Sequence, residues 1–164
     1  MPELINIGAD LFVPQEFNED NITIHEEPNI IYSVRIVHST TDNEFHITSL
    51  TVATRDGNPL PAENRILYAT IKKKAISKNI YILDRQKGLI PYYPVNIPRS
   101  HKRGATTIDL LYTARIYVAA RYGDGDAREM MCSMLGVSRS TAGRWVSKAR
   151  ELGYIDGHTT SARQ

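Results

Sequence analysis

Between Arg139 and Ser147 the residues Arg139, Ser140, Gly143, Arg144 and Ser147 recur at spacings of three and four, so a helix would carry them on one face. That face holds two guanidiniums, two hydroxyls and a glycine, with no acid, whereas an ordinary solvated helix face mixes both signs. Arginine's planar fork of donors matches the two major-groove acceptors of guanine, serine can bond to a base edge or a phosphate, and glycine permits close approach. A glycine inside a helix costs about 1 kcal/mol relative to alanine, so its presence invites a functional reason. Ser138, Lys148 and Arg150 flank the face and are expected on phosphate oxygens. The chemistry on offer is hydrogen-bonded reading of duplex DNA.

A helix from about Arg139 to Leu152, stopped by Gly153, would turn Thr141, Ala142, Trp145, Val146, Ala149 and Leu152 inward. A shorter helix precedes it. Asp126 suits its N-cap, Glu129 stands where a reciprocal capping box needs it, and Met130, Met131, Met134 and Leu135 recur at helical spacing. Cys132 is small enough for a close helix crossing. Gly136 suits a left-handed C-terminal residue, Val137 can fill the space between the helices, and Ser138 can cap the next one. Ahead lies a longer helix, Thr107 to Tyr122, with Leu111, Ala114, Val118 and Tyr122 as its inner stripe and Tyr117 beside them. Two short helices hide too little apolar surface alone, so this third one is expected to support them. Tyr122-Gly123-Asp124-Gly125 provides the turn.

The run GVSRSTAGRWVSKARELGYI resembles a helix-turn-helix form found in actinobacterial and actinophage regulators, in which a GVSRSTA-type turn leads into a Trp-Val recognition helix. The resemblance covers residues 108–155. It implies DNA binding, with Ser138, Arg139, Ser140, Gly143, Arg144 and Ser147 in the DNA-facing positions. The same architecture occurs in recombinases, sigma factors and transposases, so the process served stays open. Relatives with an ELGYI-like ending often continue into a two-stranded wing. Here residues 157–164 are few and polar, and a mobile tail is expected.

Charge is divided along the chain. Residues 1–64 hold two basic and eleven acidic side chains, a net of −9, while residues 65–164 hold eighteen and seven, a net of +11. Such a split suggests that only the second part faces a polyanion. There is no run of 18 apolar residues and no basic, apolar leader, and Cys132 is the single cysteine. These features point to a reducing cytoplasm.

The acidic segment 1–29 reads as partly irregular, with Ile22–His25 its best strand candidate. Residues 30–87 read as a small α+β region. Ile30–Ser39 and Phe45–Thr54 alternate as strands joined by a Thr40–Glu44 loop, with a bulge near Thr48-Ser49 where the apolar parity slips. Asp56-Gly57-Asn58 makes a turn. A helix follows, with Pro61 in its first turn, Leu67, Ile71 and Ala75 inside and Asn79 at its end; Ile80–Leu83 then returns as a short strand. Lys72, Lys73, Lys74 and Lys78 are read as structural cations near the C-terminal half of that helix. The hairpin-and-helix order is also similar to the N-terminal part of the actinobacterial proteins. A lone hairpin with one helix is marginal, so it should pair with a second copy or pack on the C-terminal helices; self-association is the expectation, because a two-fold dimer would present two recognition helices to a palindromic site. Residues 88–106 form a linker with three prolines, ending in the basic run Arg99, Lys102 and Arg103, which could reach phosphates as an arm or serve only as a soluble connection.

Catalytic and metal frameworks are not evident. There is no phosphate-cradling glycine loop, no Cys-x-x-Cys and no His-x-x-x-His. If Ser39 paired with Phe45, His38 would oppose His46 beside Asp42 and Glu44, but two neighbouring histidines alone do not make a closed metal site. The expectation is an α+β protein without cofactor: an N-terminal association region, then a three-helix domain over residues 107–156. It would be a non-enzymatic, dimeric, sequence-specific regulator of transcription from a bacterium or phage. The alternatives are a DNA-binding accessory factor in recombination or partition, or a protein-interaction module whose helix-turn-helix does not meet DNA.

Overall fold

The computed structural model describes residues 3–61, 66–84, 86–93, 104–123 and 125–155. The chain is α+β: four helices and seven strands in two antiparallel sheets among these residues. The first sheet runs β1 (Leu4–Gly8), β2 (Leu11–Pro14), β6 (Tyr81–Asp84) and β7 (Gly88–Pro91) in that spatial order. The second runs β3 (Glu16–Ile24), β4 (Glu27–Ser39) and β5 (Glu44–Thr54). Gln15 links them, its amide donating to the Glu3 carbonyl and its carbonyl accepting from the His38 amide, both at 2.7 Å.

The β region is therefore larger than a hairpin. Residues 4–24, read as partly irregular with a strand candidate only at Ile22–His25, form three strands, because Ile7, Leu11, Val13, Ile22 and Ile24 all reach the common core. Acidic residues are interleaved with these apolar ones and mask their alternation in the sequence. The central hairpin follows its pattern closely. Ile30, Tyr32, Val34, Ile36 and His38 of β4 point inward, and the register slips between Arg35 and Ile36, leaving Thr48 as the extra residue of β5.

That register also separates the two histidines. Ser39 pairs with Glu44, so His38 faces Phe45 and Val37 faces His46. The one-residue slip sends the imidazoles to opposite faces. His38 is buried edge-on against Phe45, while exposed His46 lies 2.7 Å from Asp42 Oδ2.

Helix α1 (Tyr68–Lys78) packs on β3 and β4 through Ile71, Ala75 and Ile76 and ends at Asn79. It begins later than expected. Pro61 stands well ahead of it, and Leu67 is an exposed N-cap instead of part of the inner stripe. Residues 88–91, read as linker, form β7 and pair along β6. Helix α2 (Thr107–Tyr122) then passes beside α1, β1 and β2. It opens with a reciprocal box, in which the Asp109 amide donates to Thr106 Oγ1 and the Thr106 amide to Asp109 Oδ2. Its burial is not a single stripe. Leu110, Ala114, Val118 and Ala119 enter the core shared with both sheets, while Ile116 enters a second core formed with the last two helices. Leu111, expected inside, is only half-buried. Gly123 closes α2 where it passes α1; a Cβ there would stand 2.9 Å from both Ser77 Cβ and the Ala119 carbonyl oxygen.

The hairpin and α1 pack on the C-terminal helices: one core joins Ile36, Phe45 and Ile71 to Leu110, Val118, Ala149 and Ile155. No helix among the described residues is long and apolar enough to cross a membrane.

Candidate nucleic-acid interface

Two helices follow α2. α3 (Ala127–Leu135) starts at Asp126, whose Oδ1 accepts from the Glu129 amide at 2.8 Å, and ends at Gly136 with φ 53° and ψ 37°. That left-handed geometry disfavours any residue with a Cβ. Two residues later Ser138 caps α4 (Arg139–Glu151), its hydroxyl accepting from the Thr141 amide at 3.2 Å. The turn between the helices is therefore short and defined at both ends.

The inner faces of α2, α3 and α4 meet in a small core of Ile116, Met131, Leu135 and Ala142, with Val137, Met130 and Met134 around it. Trp145 and Val146 lie against both this cluster and the larger shared core, and Ala149 is fully buried in the latter. Small residues at 142 and 149 allow α4 to lie close on α2. Full burial of a side chain of Met131's or Leu135's size contributes about 1.5–3 kcal/mol. Leu152, assigned to the inner face, is 47% exposed, because α4 ends at Glu151 and the chain turns away at Gly153 with φ 73°. Tyr154 and Ile155 pack back onto the shared core in its place.

The opposite side of α4 is open. Ser138, Arg139, Ser140, Arg144, Ser147, Lys148 and Arg150 are exposed, and nothing lies within 4 Å of where a Gly143 Cβ would stand. Arg144 Nη2 makes a long 3.4 Å bond to Thr141 Oγ1, and Ser147 Oγ donates to the Gly143 carbonyl at 3.2 Å. Three of the expected phosphate residues are engaged within the protein, Ser138 through its capping bond to the Thr141 amide. Lys148 pairs with Glu151 at 3.2 Å, a wholly exposed contact of little energetic weight. Arg150 turns back to α2, where its guanidinium lies 5.8 Å from the Tyr117 ring centroid and Nη2 donates to the Tyr117 hydroxyl at 3.3 Å. Arg99, Lys102 and Arg103, the expected arm, lie outside the described residues, as do residues 157–164, the expected tail.

The second basic group, on α1, behaves differently. Lys72 donates to the Phe45 carbonyl and Lys74 to the Thr23 carbonyl, both at 3.1 Å, while Lys78 pairs with Glu19 at 2.9 Å. These cations tie α1 to the second sheet, which accords with a structural role.

Among the described residues no group of three or more His, Cys, Asp or Glu side chains could hold a metal ion. Sequence reasoning missed two features around α2. One is the Tyr117–Arg150 contact, which depends on how two helices cross. The other is Arg115, whose setting depends on the first sheet. Sequence reasoning also missed the Thr106–Asp109 box, which the Thr-x-x-Asp spacing could have signalled. Comparison of the chain with protein-family models, with curated proteins and with solved structures finds no match.

Proposed function

We propose that this protein binds double-stranded DNA in a sequence-specific way through α4, acting as a regulator of transcription in a bacterium or phage. The observation that carries the reading is an exposed ridge of Arg139, Ser140, Arg144 and Ser147 on a helix whose other face is anchored by Ala142, Trp145 and Ala149. A short helix capped at Ser138, following a tight turn from α3, is the shape that enters a major groove by its N-terminal residues. Arg139 and Arg144 read bases, with Ser140 and Ser147 assisting and Gly143 permitting close approach. Ser138 and Lys148 contact phosphate, since the exposed Lys148–Glu151 pair yields readily to a stronger anion. Arg150 holds α4 against Tyr117 and contributes its charge at longer range. The Arg99–Arg103 run adds further phosphate contacts. Two copies bind a palindromic site, each presenting one α4.

Selection of bound genomic fragments followed by sequencing tests the reading: enrichment of a shared motif beside promoters is expected. Enrichment at recombination or replication sites would instead assign the domain to an accessory factor, and no salt-dependent binding at all would remove DNA from the account. On the selected site Arg144→Ala should cost about 1–3 kcal/mol and relax base choice, whereas Lys148→Ala should weaken all sequences alike. Sedimentation of the protein with and without its site reads the number of copies bound.

A further inference from the structure

A cleft between the β6–β7 hairpin and α2 plays no part in the reading above. Its volume is about 500 Å³, and Ile82, Leu83, Asp84, Ile90, Tyr112 and Arg115 line it. That volume falls among those of small-molecule sites, which pair apolar walls with a few polar groups. Ile82, Ile90 and the Tyr112 ring supply the walls, and the two charged groups have opposite sign.

Both charged groups have unused capacity. The Arg115 side chain is only 16% exposed, yet its Nε makes one long bond, 3.4 Å to the Ala9 carbonyl. Its ion pair with Asp10 spans 3.6 Å, and that carboxylate side chain is 70% exposed. A guanidinium has five N–H donors in a fork that fits a carboxylate bidentately. On Asp84, Oδ1 accepts the amides of Gln86 at 2.9 Å and Lys87 at 2.8 Å, and Oδ2 has no hydrogen bond among the described residues. The Lys87 and Gln86 amides hold this carboxyl below the usual carboxylate range, so it is ionised at neutral pH. Tyr92 lies close enough to Arg115 and Tyr112 to feel both electrostatically; burial pushes its hydroxyl up to about 12, which keeps it a neutral donor.

We infer that this cleft binds a free amino acid with an apolar side chain, its carboxylate on Arg115, its ammonium on Asp84 and its side chain against Ile82, Ile90 and Tyr112. A simple anion would meet Asp84, a simple cation would meet Arg115, and an uncharged apolar guest would desolvate both without compensation. Only a zwitterion answers both signs. A purely structural role for Arg115, holding the β1–β2 turn where Gly8, Ala9 and Asp10 all have positive φ, accounts for the Ala9 bond. It does not account for Asp84, Ile82, Ile90 and Tyr112 lining one cleft with it. The inference stands whether or not α4 meets DNA.

The test is a titration of the ¹⁵N-labelled full chain at neutral pH with L-leucine and with L-phenylalanine. It follows the amides of Ile82, Asp84, Ile90 and Tyr112 and the Nε–H of Arg115. Leucinamide, which lacks the carboxylate, and 4-methylpentanoate, which lacks the ammonium, serve as controls. Saturable shifts confined to the cleft are expected, with both controls at least tenfold weaker. Asp84→Asn keeps the Oδ1 acceptor for the turn and should weaken leucine at least tenfold while leaving 4-methylpentanoate no weaker. Arg115→Gln should abolish binding of both amino acids; should it fail to fold, Asp84→Asn carries the test alone. The assignment is overturned if neither amino acid gives saturable shifts, if 4-methylpentanoate binds as tightly as leucine, or if Asp84→Asn leaves leucine unchanged.

Discussion

Helices α1 and α4 are both short and basic, and each is packed by one face. In α1, Lys72, Lys74 and Lys78 reach back to the Phe45 and Thr23 carbonyls and to Glu19. In α4, Arg139 and Arg144 project from an open ridge, where Arg144 has a single long bond within its own helix. The denser cluster in the sequence is the one on α1, where Lys72, Lys74 and Lys78 reach acceptors on the sheet and Lys73 is exposed. Local charge density is therefore a poor guide to which cations stay open at the surface. What matters is whether acceptors of the same chain lie within reach of each cation. The sheet beneath α1 supplies them, and the space beyond α4 does not.

Four experiments sharpen or break that contrast. The largest effect is expected at the buried face of α4. Ala149→Asp places an unpaired carboxylate in the shared core and should cost more than about 3 kcal/mol, read as loss of cooperative thermal unfolding. A melting temperature within a few degrees of the parent would mean that α4 is not packed as described. Next, paired neutralisations compare the two helices directly. Arg139→Gln with Arg144→Gln should leave the melting temperature unchanged and lower the salt dependence of DNA binding, by up to about 2 in log–log slope if both cations also neutralise phosphate. Lys72→Gln with Lys74→Gln should do the reverse, lowering stability by about 1–3 kcal/mol with the slope intact. Equal behaviour of the two pairs would erase the distinction.

A smaller effect is expected from Gly143→Ala. The position is helical and open, so alanine should stabilise the fold by about 0.5–1 kcal/mol while weakening DNA binding through the lost close approach. Stabilisation with undiminished binding would place the groove elsewhere. The smallest effect is spectroscopic. Tyr92, raised by burial to about 12, should ionise late in an alkaline absorbance titration. Its folded value lies above the ordinary 10, so its contribution to stability is complete below pH 10 and is lost as pH rises towards 12. Loss of that late transition in Tyr92→Phe assigns it.

Much of the helical part was legible from spacing alone. The bounds of α2, the Asp126 and Ser138 caps and the Gly136 turn each depend on residues within a few positions of one another. The bulge at Thr48 was likewise readable, because a slip in apolar parity is a local signal. The strands before Ile22 were not readable. They are short and partly acidic, and β2 is held by β6, some seventy residues further on. The His38–His46 pairing failed for a related reason. A hairpin loop one residue shorter changes which face each imidazole takes, and only the packing of His38 on Phe45 settles the register.

By itself, then, the sequence determined the outward ridge of α4, the caps that frame it and the division of charge between the two halves. Those properties arise from helical periodicity and composition, which need no distant partner. Tertiary structure alone decided that Lys72, Lys74 and Lys78 of α1 reach the sheet, that α2 serves two cores, and that Arg115 and Asp84 line one cleft. Each of these depends on groups far apart in the chain meeting across a packed interior, where burial and hydrogen-bond satisfaction choose the neighbours.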